Sequence, residues 1–406
     1  MSRSVFQLTR VKSLSMLNQA RLLKGNLLTL PYSDKHHVAP GGGETVVVAM
    51  SGGVDSSVSA ALLHEHGYRV IGITLNLWDY SSSGGNVNRE SGCCSIDTMA
   101  DARAVCHRLG APHYVLDLKE EFRSGVRDNF RDEYFSGRTP NPCVRCNTFI
   151  KWGSLLRHTE NIGAEKMATG HYARVDFDAE SNRWLLLRAR DMNKDQSYAL
   201  WGLRQQALAK TIFPLGNLTK PEVRDIARHL NLKTAEKPES QEICFIPDND
   251  FRRYLRDQAV ATELPIAAGP IYDTEGAQIG QHEGTPFYTI GQRKGIGVAA
   301  GRPLFVTRID AQSNAIFMGD RDELAERDVL IEDVNWIDCI LPELPRDVTC
   351  KIRYKDAGAT AKIIGADTHT ARLRFDEPQF AITPGQSAVM YDDDRVVGGG
   401  VIESMS

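Results

Sequence analysis

Two cysteines three residues apart, Cys143 and Cys146, stand in TPNPCVRCNTFIKW (139–152), and a third, Cys244, follows about a hundred residues later in SQEICFIP. Ahead of an amphipathic run, a C-x-x-C is a redox pair, half of a zinc site, part of an iron–sulfur site, or a pair of buried thiols. A thiolate can also carry a terminal sulfur as a persulfide, which a second thiol releases by closing a disulfide. A helix opening at Cys146 would lower its thiol pKa through the helix dipole. The remaining cysteines are Cys93, Cys94, Cys106, Cys339 and Cys350. Such sparse spacing in a long chain argues for a reducing compartment and against a disulfide framework. Cys106, Cys339 and Cys350 fall in helix or strand patterns and are expected in the core. Cys93 and Cys94 border a Ser/Gly/Asn-rich loop and are accessory thiols or nothing.

The second chemical feature is SGGVDS (51–56), set between a β-branched run, TVVVAM (45–50), and a helix reaching about His66. Gly52 and Gly53 let backbone N–H groups point inward, Ser51 and Ser56 add hydroxyls, and the helix N-terminus adds positive charge. This makes an anion nest suited to pyrophosphate, with Asp55 placed to hold a metal ion that travels with the phosphates. There is no G-x-x-x-x-G-K-[ST], so the loop is not a Walker loop.

The elements that must position these groups alternate. VIGITLNLW (70–78), HYVLDL and EKMATGHYAR read as strands. Helices are expected over 95–110 with Ser95 as N-cap, over 119–135, after Cys146, and over 219–232 with Thr219 as N-cap. Alternation of this kind gives a parallel α/β sheet with helices on both faces, and ligands bind at the carboxyl ends of its strands. From about Leu304 the pattern becomes short alternating strands, an antiparallel barrel or sandwich. At 406 residues two or three domains are expected, and no apolar run is long enough to span a bilayer. The net charge of −4 gives no global basic field, though a local basic groove suffices for nucleic acid. Residues 1–33 carry Arg3, Arg10, Lys12, Arg21 and Lys24 with no acid before Asp34. That is the pattern of a transit peptide or of a disordered extension.

The strand–SGGVDS–helix unit resembles the pyrophosphate-loop ATPases, which cleave ATP between the α and β phosphates and adenylate a substrate oxygen. AMSGGVDSS, TPNPCVRCNTFIKW, ATGHYAR, KDQSYAL, SQEICFIP, YTIGQRKGI and KIRYK, in this order from about Thr45 to about Glu403, make the chain similar to the tRNA-specific 2-thiouridylases of the MnmA type. The resemblance implies ATP-dependent 2-thiolation of the wobble uridine of tRNA. The C2 oxygen is adenylated and then replaced by sulfur from a protein persulfide, with release of AMP and pyrophosphate.

The resemblance also implies a fold: an adenine nucleotide α-hydrolase-like parallel sheet, a small central domain and a C-terminal antiparallel β-barrel. On this chain that gives an N-terminal extension (1–43), an ATP pyrophosphatase domain (44–247), a small central tRNA-contacting domain (248–303) and a barrel (304–406). Ala49, Met50, Ser51, Gly52, Gly53, Val54, Asp55 and Ser56 match the ATP-holding loop, with Leu75 and Gly170 on the adenine and ribose side. Cys146 matches the nucleophile and Cys244 the persulfide bearer. Asn141, Pro142 and Cys143 match the target-base contact. His171, Lys194, Asp195, Gln196, Arg353, Tyr354 and Gln386 match tRNA contacts. Arg and Lys fix phosphates, and an aromatic stacks on an extruded base. The implied cofactors are ATP and Mg2+. The implied partners are a tRNA with a wobble uridine and an upstream sulfur carrier or cysteine desulfurase, with no membrane. The expected location is cytoplasmic, or mitochondrial or plastid if 1–43 is a transit peptide.

One position departs from the family. Many members have Asp, thought to act as a general acid/base, where this chain has Cys143. Cys143, Cys146 and Cys244 together offer three soft ligands, which suit a [4Fe–4S] cluster. A persulfide relay and a three-cysteine cluster therefore both stand. Two other classes are an AMP-forming amide ligase, which has no use for Cys146 and Cys244, and a non-enzymatic RNA-binding protein, which leaves SGGVDS without a role.

Overall fold

The structure is a computed structural model and describes residues 31–32, 35, 38–79, 96–238, 243–298 and 301–403. Residues 1–30, Cys93, Cys94, Ser95 and the Ser240–Gln241–Glu242 part of SQEICFIP lie outside the described residues, so the expectations placed on them are not addressed.

The apolar run Thr45–Ala49 is β1, the middle of a five-stranded parallel sheet. It pairs on one side with β2 (Arg69–Asn76), which pairs with β3 (His113–Asp117). On the other side lie β4 (Lys166–Ala168) and β7 (Thr211–Ile212). Period-two alternation sends Val46 and Val48 to one face and Val47 to the other, and all three are buried because both faces are covered. Helix α1 (Val54–Glu65), α2 (Ile96–Arg108) and α5 (Lys220–His229) belong to the Val46/Val48 side. Helices α3 (119–135) and α4 (142–161) cover the Val47 side. Each of these two contains a wider, π-type stretch: Arg123–Arg127 in α3 and Cys146–Leu155 in α4.

Between β4 and β7 the chain makes an excursion. The hairpin of β5 (Ala173–Asp178) and β6 (Arg183–Arg188) leaves the parallel sheet and meets β17 (Arg395–Glu403) of the C-terminal domain. That domain is a closed six-stranded antiparallel barrel. Its order is β12 (Ala325–Trp336), β15 (Ala371–Phe380), β14 (Ala359–Ala366), β13 (Arg346–Lys351), β16 (Ser387–Asp392) and β17, and the β12–β17 pairing closes the ring. Closure removes the sheet edges that an open antiparallel sheet would expose.

The expected boundary at 304 requires correction. Strands β10 (Phe305–Asp310) and β11 (Ala315–Gly319) do not join the barrel. They pair with β8 (Gly269–Tyr272) and β9 (Gln278–His282) in a four-stranded sheet of the middle domain. Alternation marked these segments as strands but says nothing of which partner a strand finds. The middle domain therefore runs to about residue 320, with α6 (Phe251–Thr262) packed beside it. No helix among the described residues is long and apolar enough to cross a membrane.

Candidate active site and tRNA face

The loop after β1 turns through Gly52 at φ +68, a left-handed conformation that suits glycine. A Cβ there would stand 2.2 Å from the Thr98 carbonyl oxygen, so the first turn of α2 closes directly over the loop. Ser56 ties the turn together. Its Oγ accepts from Ser51 N (3.2 Å), lies 3.2 Å from Ser51 Oγ and donates to the Gly53 carbonyl (3.2 Å). Helix α1 begins at Val54 with Gly53 as its cap, and glycine has no side chain to take the first N–H groups. This is the anion nest expected of SGGVDS.

Two lysines that sequence reading passed over stand at the nest. Lys220, the first residue of α5 and buried, places Nζ 2.7 and 2.8 Å from the two Asp55 carboxylate oxygens. The Tyr172 hydroxyl donates to the same Asp55 Oδ1 at 2.8 Å. Lys237 Nζ donates to the Gly52 carbonyl at 3.1 Å and pairs with Asp101 at 2.8 Å. Asp55, expected to hold a metal, is thus neutralised by Lys220 in this state. The only sequence signal was the TKPE helix start that set Lys220 beside a capping Thr219.

Gly170 shows why glycine stands after Thr169. A Cβ on it would come 2.8 Å from Asp55 C and Ser56 N, so the ATGHY turn packs backbone to backbone on the phosphate loop. Each residue of that turn reaches a different part of the site. Tyr172 holds Asp55 and exchanges bonds with Gln196, its N–H to Gln196 Oε1 and the Gln196 N–H to its carbonyl, both 2.9 Å. His171 Nδ1 lies 2.7 Å from Thr169 Oγ1, and Nε2 lies 3.3 Å from Lys151 Nζ on α4. Burial, and secondarily the Lys151 charge, hold the His171 pKa well below the usual imidazole value.

Helix α4 does not open at Cys146. It opens at Pro142, with Asn141 Oδ1 accepting from Val144 N at 3.4 Å. Pro142 in the first turn needs no hydrogen-bond partner for its nitrogen and presets φ. Cys143, exposed, therefore sits in the first turn near the positive helix end, and Cys146, half-buried, sits one turn further in. Cys146 and Cys244 border the same core cluster. Phe245, next to Cys244, packs edge-on against Phe122 (5.7 Å) and Phe130 (5.3 Å) of α3, and α3 is tied to α4 by Arg145 Nε donating to the Gly125 carbonyl (2.8 Å). Among the described residues no three His, Cys, Asp or Glu side chains converge to hold a metal ion. Cys106 and Cys350 are buried as expected, and Cys339 is half-buried against the barrel core. Burial pushes the Cys106 thiol up to about 11, and burial with the Asp338 carboxylate pushes Cys339 up to about 12.

The residues expected to touch tRNA divide into two groups. Asp195 is buried, and its carboxylate accepts from Ala189 N (2.9 Å), Ser197 N (3.3 Å) and Ser197 Oγ (2.8 Å). Gln196 is tied to Tyr172 and His171 to Thr169 and Lys151, and both are half-buried. Tyr354 is exposed, with its ring edge-on to Tyr198 at 6.0 Å. Lys194, half-buried, ends the turn that leads to Asp195. Gln386 Nε2 donates to the Thr139 and Pro140 carbonyls (3.1 and 3.0 Å), so the barrel grips the segment leading into Asn141, Pro142 and Cys143. Arg353 Nη2 donates to the Phe380 (3.0 Å) and Ala381 carbonyls. Arg353 and Gln386 line one cleft of about 470 Å³, shared with Tyr134 and Thr139 of the first domain and Phe251, Arg252, Thr289 and Gln292 of the middle domain. All three domains thus meet beside the Cys143 turn. Leu75 and Met50 are buried in the sheet beside the phosphate loop, while Ala49 ends β1 directly before it.

A parallel sheet feeding a phosphate nest, followed by a small mixed sheet and a closed barrel, defines a nucleotide-binding α/β protein with two β modules. Residues 44–248 match the family model described as the tRNA methyl transferase HUP domain, 257–320 the PRC-barrel domain, and 326–402 the aminomethyltransferase beta-barrel domain. The tRNA-specific 2-thiouridylase MnmA of Salinibacter ruber is 51% identical over 363 residues, covering 89% of this chain and 94% of that protein. Its counterpart in Heliobacterium modesticaldum is 50% identical over 360 residues, 88% of this chain and 92% of that one. The chain belongs to the tRNA-specific 2-thiouridylase family. Among solved structures, the U34-tRNA thiolase NcsA from Methanococcus maripaludis with its [4Fe-4S] cluster aligns at TM-score 0.32 and 19% identity, over 54% of this chain and 70% of that one. A likeness that loose carries no argument about the cysteines.

Proposed function

We propose that the chain thiolates C2 of the wobble uridine of tRNA in two steps run at adjoining places. ATP lies with its phosphates in the Ser51–Ser56 nest, where backbone N–H groups, Lys220 and Lys237 balance their charge. The uridine C2 oxygen attacks the α-phosphate, pyrophosphate leaves, and the base is activated as its adenylate. Asp55 is the carboxylate that would hold a magnesium ion accompanying ATP, with its bonds to Lys220 and Tyr172 rearranged, and such an ion would supply charge neutralisation at the phosphates.

Sulfur then arrives as a persulfide on Cys244. Its terminal sulfur bonds to C2 and AMP departs with the oxygen. The Cys146 thiolate attacks Cys244 Sγ, the S–S bond to the transferred sulfur breaks, and a Cys146–Cys244 disulfide remains for an external thiol to reduce. A sulfur carrier or cysteine desulfurase loads Cys244 beforehand. Asn141, Pro142 and Cys143 hold the target base, and the three-domain cleft with Arg353, Tyr354 and Gln386 takes the flanking RNA.

The observation that carries this reading is the ATGHY turn, which packs on the phosphate loop through Gly170 and bonds to the cysteine-bearing helix through His171. One turn of chain thus joins the activating site to the sulfur site. The test is a single-turnover assay with ATP, unmodified tRNA and a persulfide donor. AMP, pyrophosphate and 2-thiouridine should appear in equal amounts. AMP with an amidated product would support the amide ligase instead, and no AMP at all would support a binding protein.

A further inference from the structure

We propose that Lys151 is the positioning residue that fixes the sulfur-bearing helix against the nucleotide turn, so that the adenylated uridine and Cys146 share one geometry; this rests on the function proposed above. Lys151 lies in the wide stretch of α4 that begins at Cys146. An ammonium has three donors and no acceptor. One donor goes to Asn147 Oδ1 at 2.8 Å, and a second faces His171 Nε2 at 3.3 Å.

The roles in this chain then follow from chemistry. Because Lys151 can only donate, His171 Nε2 accepts, and the ring proton lies on Nδ1, where it donates to Thr169 Oγ1 at 2.7 Å. Asn147, beside Cys146 and only 2% exposed, turns its Nδ2 to the Ala199 carbonyl at 2.9 Å. Thr169 is buried, and the Gly170 backbone abuts Asp55 and Ser56. An unbroken series of contacts therefore runs from the phosphate loop through Gly170, His171 and Lys151 to Asn147, the residue next to Cys146. Trp152 fixes the same turn from its other side, with its Nε1 donating to Thr211 Oγ1 at 2.7 Å and its ring 5.6 Å from His171. Lys151 is the member that bridges the two segments by hydrogen bonds, and the phosphate-nest side chains do not depend on it. Its loss should separate the two half-reactions.

The test uses the full chain with unmodified tRNA, ATP and a persulfide donor. In Lys151→Met, tRNA-dependent pyrophosphate release should stay within about threefold of wild type, while 2-thiouridine per pyrophosphate should fall tenfold or more. A second readout follows His171 by imidazole NMR. Removing the ammonium removes a charge that opposes ring protonation, so His171 should titrate at higher pH in the variant, while Lys151→Arg, which keeps a charged donor at the position, should leave it low. Thr169→Val removes the hydroxyl that holds the His171 ring through Nδ1, with little change in volume, and should lower the same product ratio, which keeps the test open if Lys151→Met folds poorly. An unchanged ratio in both variants, or an unmoved His171 titration, overturns the inference. Failure of the wild-type chain to form any AMP or 2-thiouridine would instead overturn the function on which it rests.

Discussion

Lys220 Nζ sits 2.7 Å from Asp55 Oδ1 and 2.8 Å from Oδ2, linking the start of α5 to the first turn of α1 across the mouth of the phosphate loop. The lysine side chain is 9% exposed and the aspartate 31%. Lys220→Met removes the ammonium paired with the partly buried Asp55 carboxylate. AMP formation should fall by a hundredfold or more. Stability should fall by only about 1–2 kcal/mol, since water reaches the aspartate. Asp55→Asn should give a comparable kinetic loss. A urea melt alongside the AMP assay checks both; AMP formation within a few fold of wild type in Asp55→Asn would show that the phosphates lie elsewhere.

The cysteines separate by role. Cys146→Ser and Cys244→Ser should abolish 2-thiouridine while ATP still binds, since neither belongs to the nest. Cys143→Ala should lower activity without abolishing it if the persulfide relay operates. Cys143→Asp, which restores the commoner family residue, should retain thiolation without bound iron, because a carboxylate suits proton transfer and suits soft iron–sulfur chemistry poorly. Iron and labile-sulfide analysis of anaerobically purified protein gives the reading. Loss of both iron and activity in a folded Cys143→Ala protein would show a three-cysteine cluster.

Native alkylation should distinguish the thiols by exposure. Iodoacetamide should modify Cys143 well before Cys106 or Cys350. The first is exposed on a helix turn, and the other two are buried with their thiol pKa values raised by burial. Peptide mass spectrometry over a time course would measure this. Early labelling of Cys106 would mean that the α2 side of the sheet opens readily.

Phe245→Ala tests whether packing holds Cys244 in place. Phe245 is 1% exposed and contacts the rings of Phe122, Phe130 and Tyr254, the last at 5.3 Å. Truncation should cost about 3–5 kcal/mol. At temperatures where the variant remains folded, thiolation should fall more than pyrophosphate release, because the neighbour of the truncated ring is Cys244, the proposed persulfide bearer, and not the nest.

Acid should weaken the fold through buried imidazoles. Burial lowers the pKa values of His171, His113 and His282. Below about pH 6.5 the unfolded chain takes up protons that these folded rings refuse, so stability drops as pH falls through that window, by up to about 1.4 kcal/mol per pH unit for each group. Urea melts at about pH 7.5 and 5.5 should show the loss, and His171→Phe should flatten it. A slope that steepens in His171→Phe would contradict the neutral assignment of that ring.

The sequence by itself determined the parts whose information is local. TVVVAM could only be a buried strand, SGGVDS could only turn tightly into a helix, and Pro142 with Asn141 could start a helix, although Cys146 drew the eye as its first residue. Motif order was enough to place the family. What only the tertiary structure decided were the long-range partners. Strands 305–310 and 315–319 carry the same alternation as the barrel strands, and pairing, which alternation does not encode, sends them to the middle sheet. Lys220 lies 165 residues from Asp55, and Lys151 lies 20 from His171, so no spacing rule connects them. Asp195 in the KDQ run is buried, with its carboxylate bonded to Ala189 N and Ser197 Oγ, which the sequence could not show, because a polar residue in a turn reads the same whether its carboxylate faces backbone or solvent. Spacing along the chain reveals neighbours on one helix or strand. The convergence of loops at the ends of a parallel sheet, where this chemistry sits, exists only once the sheet has formed.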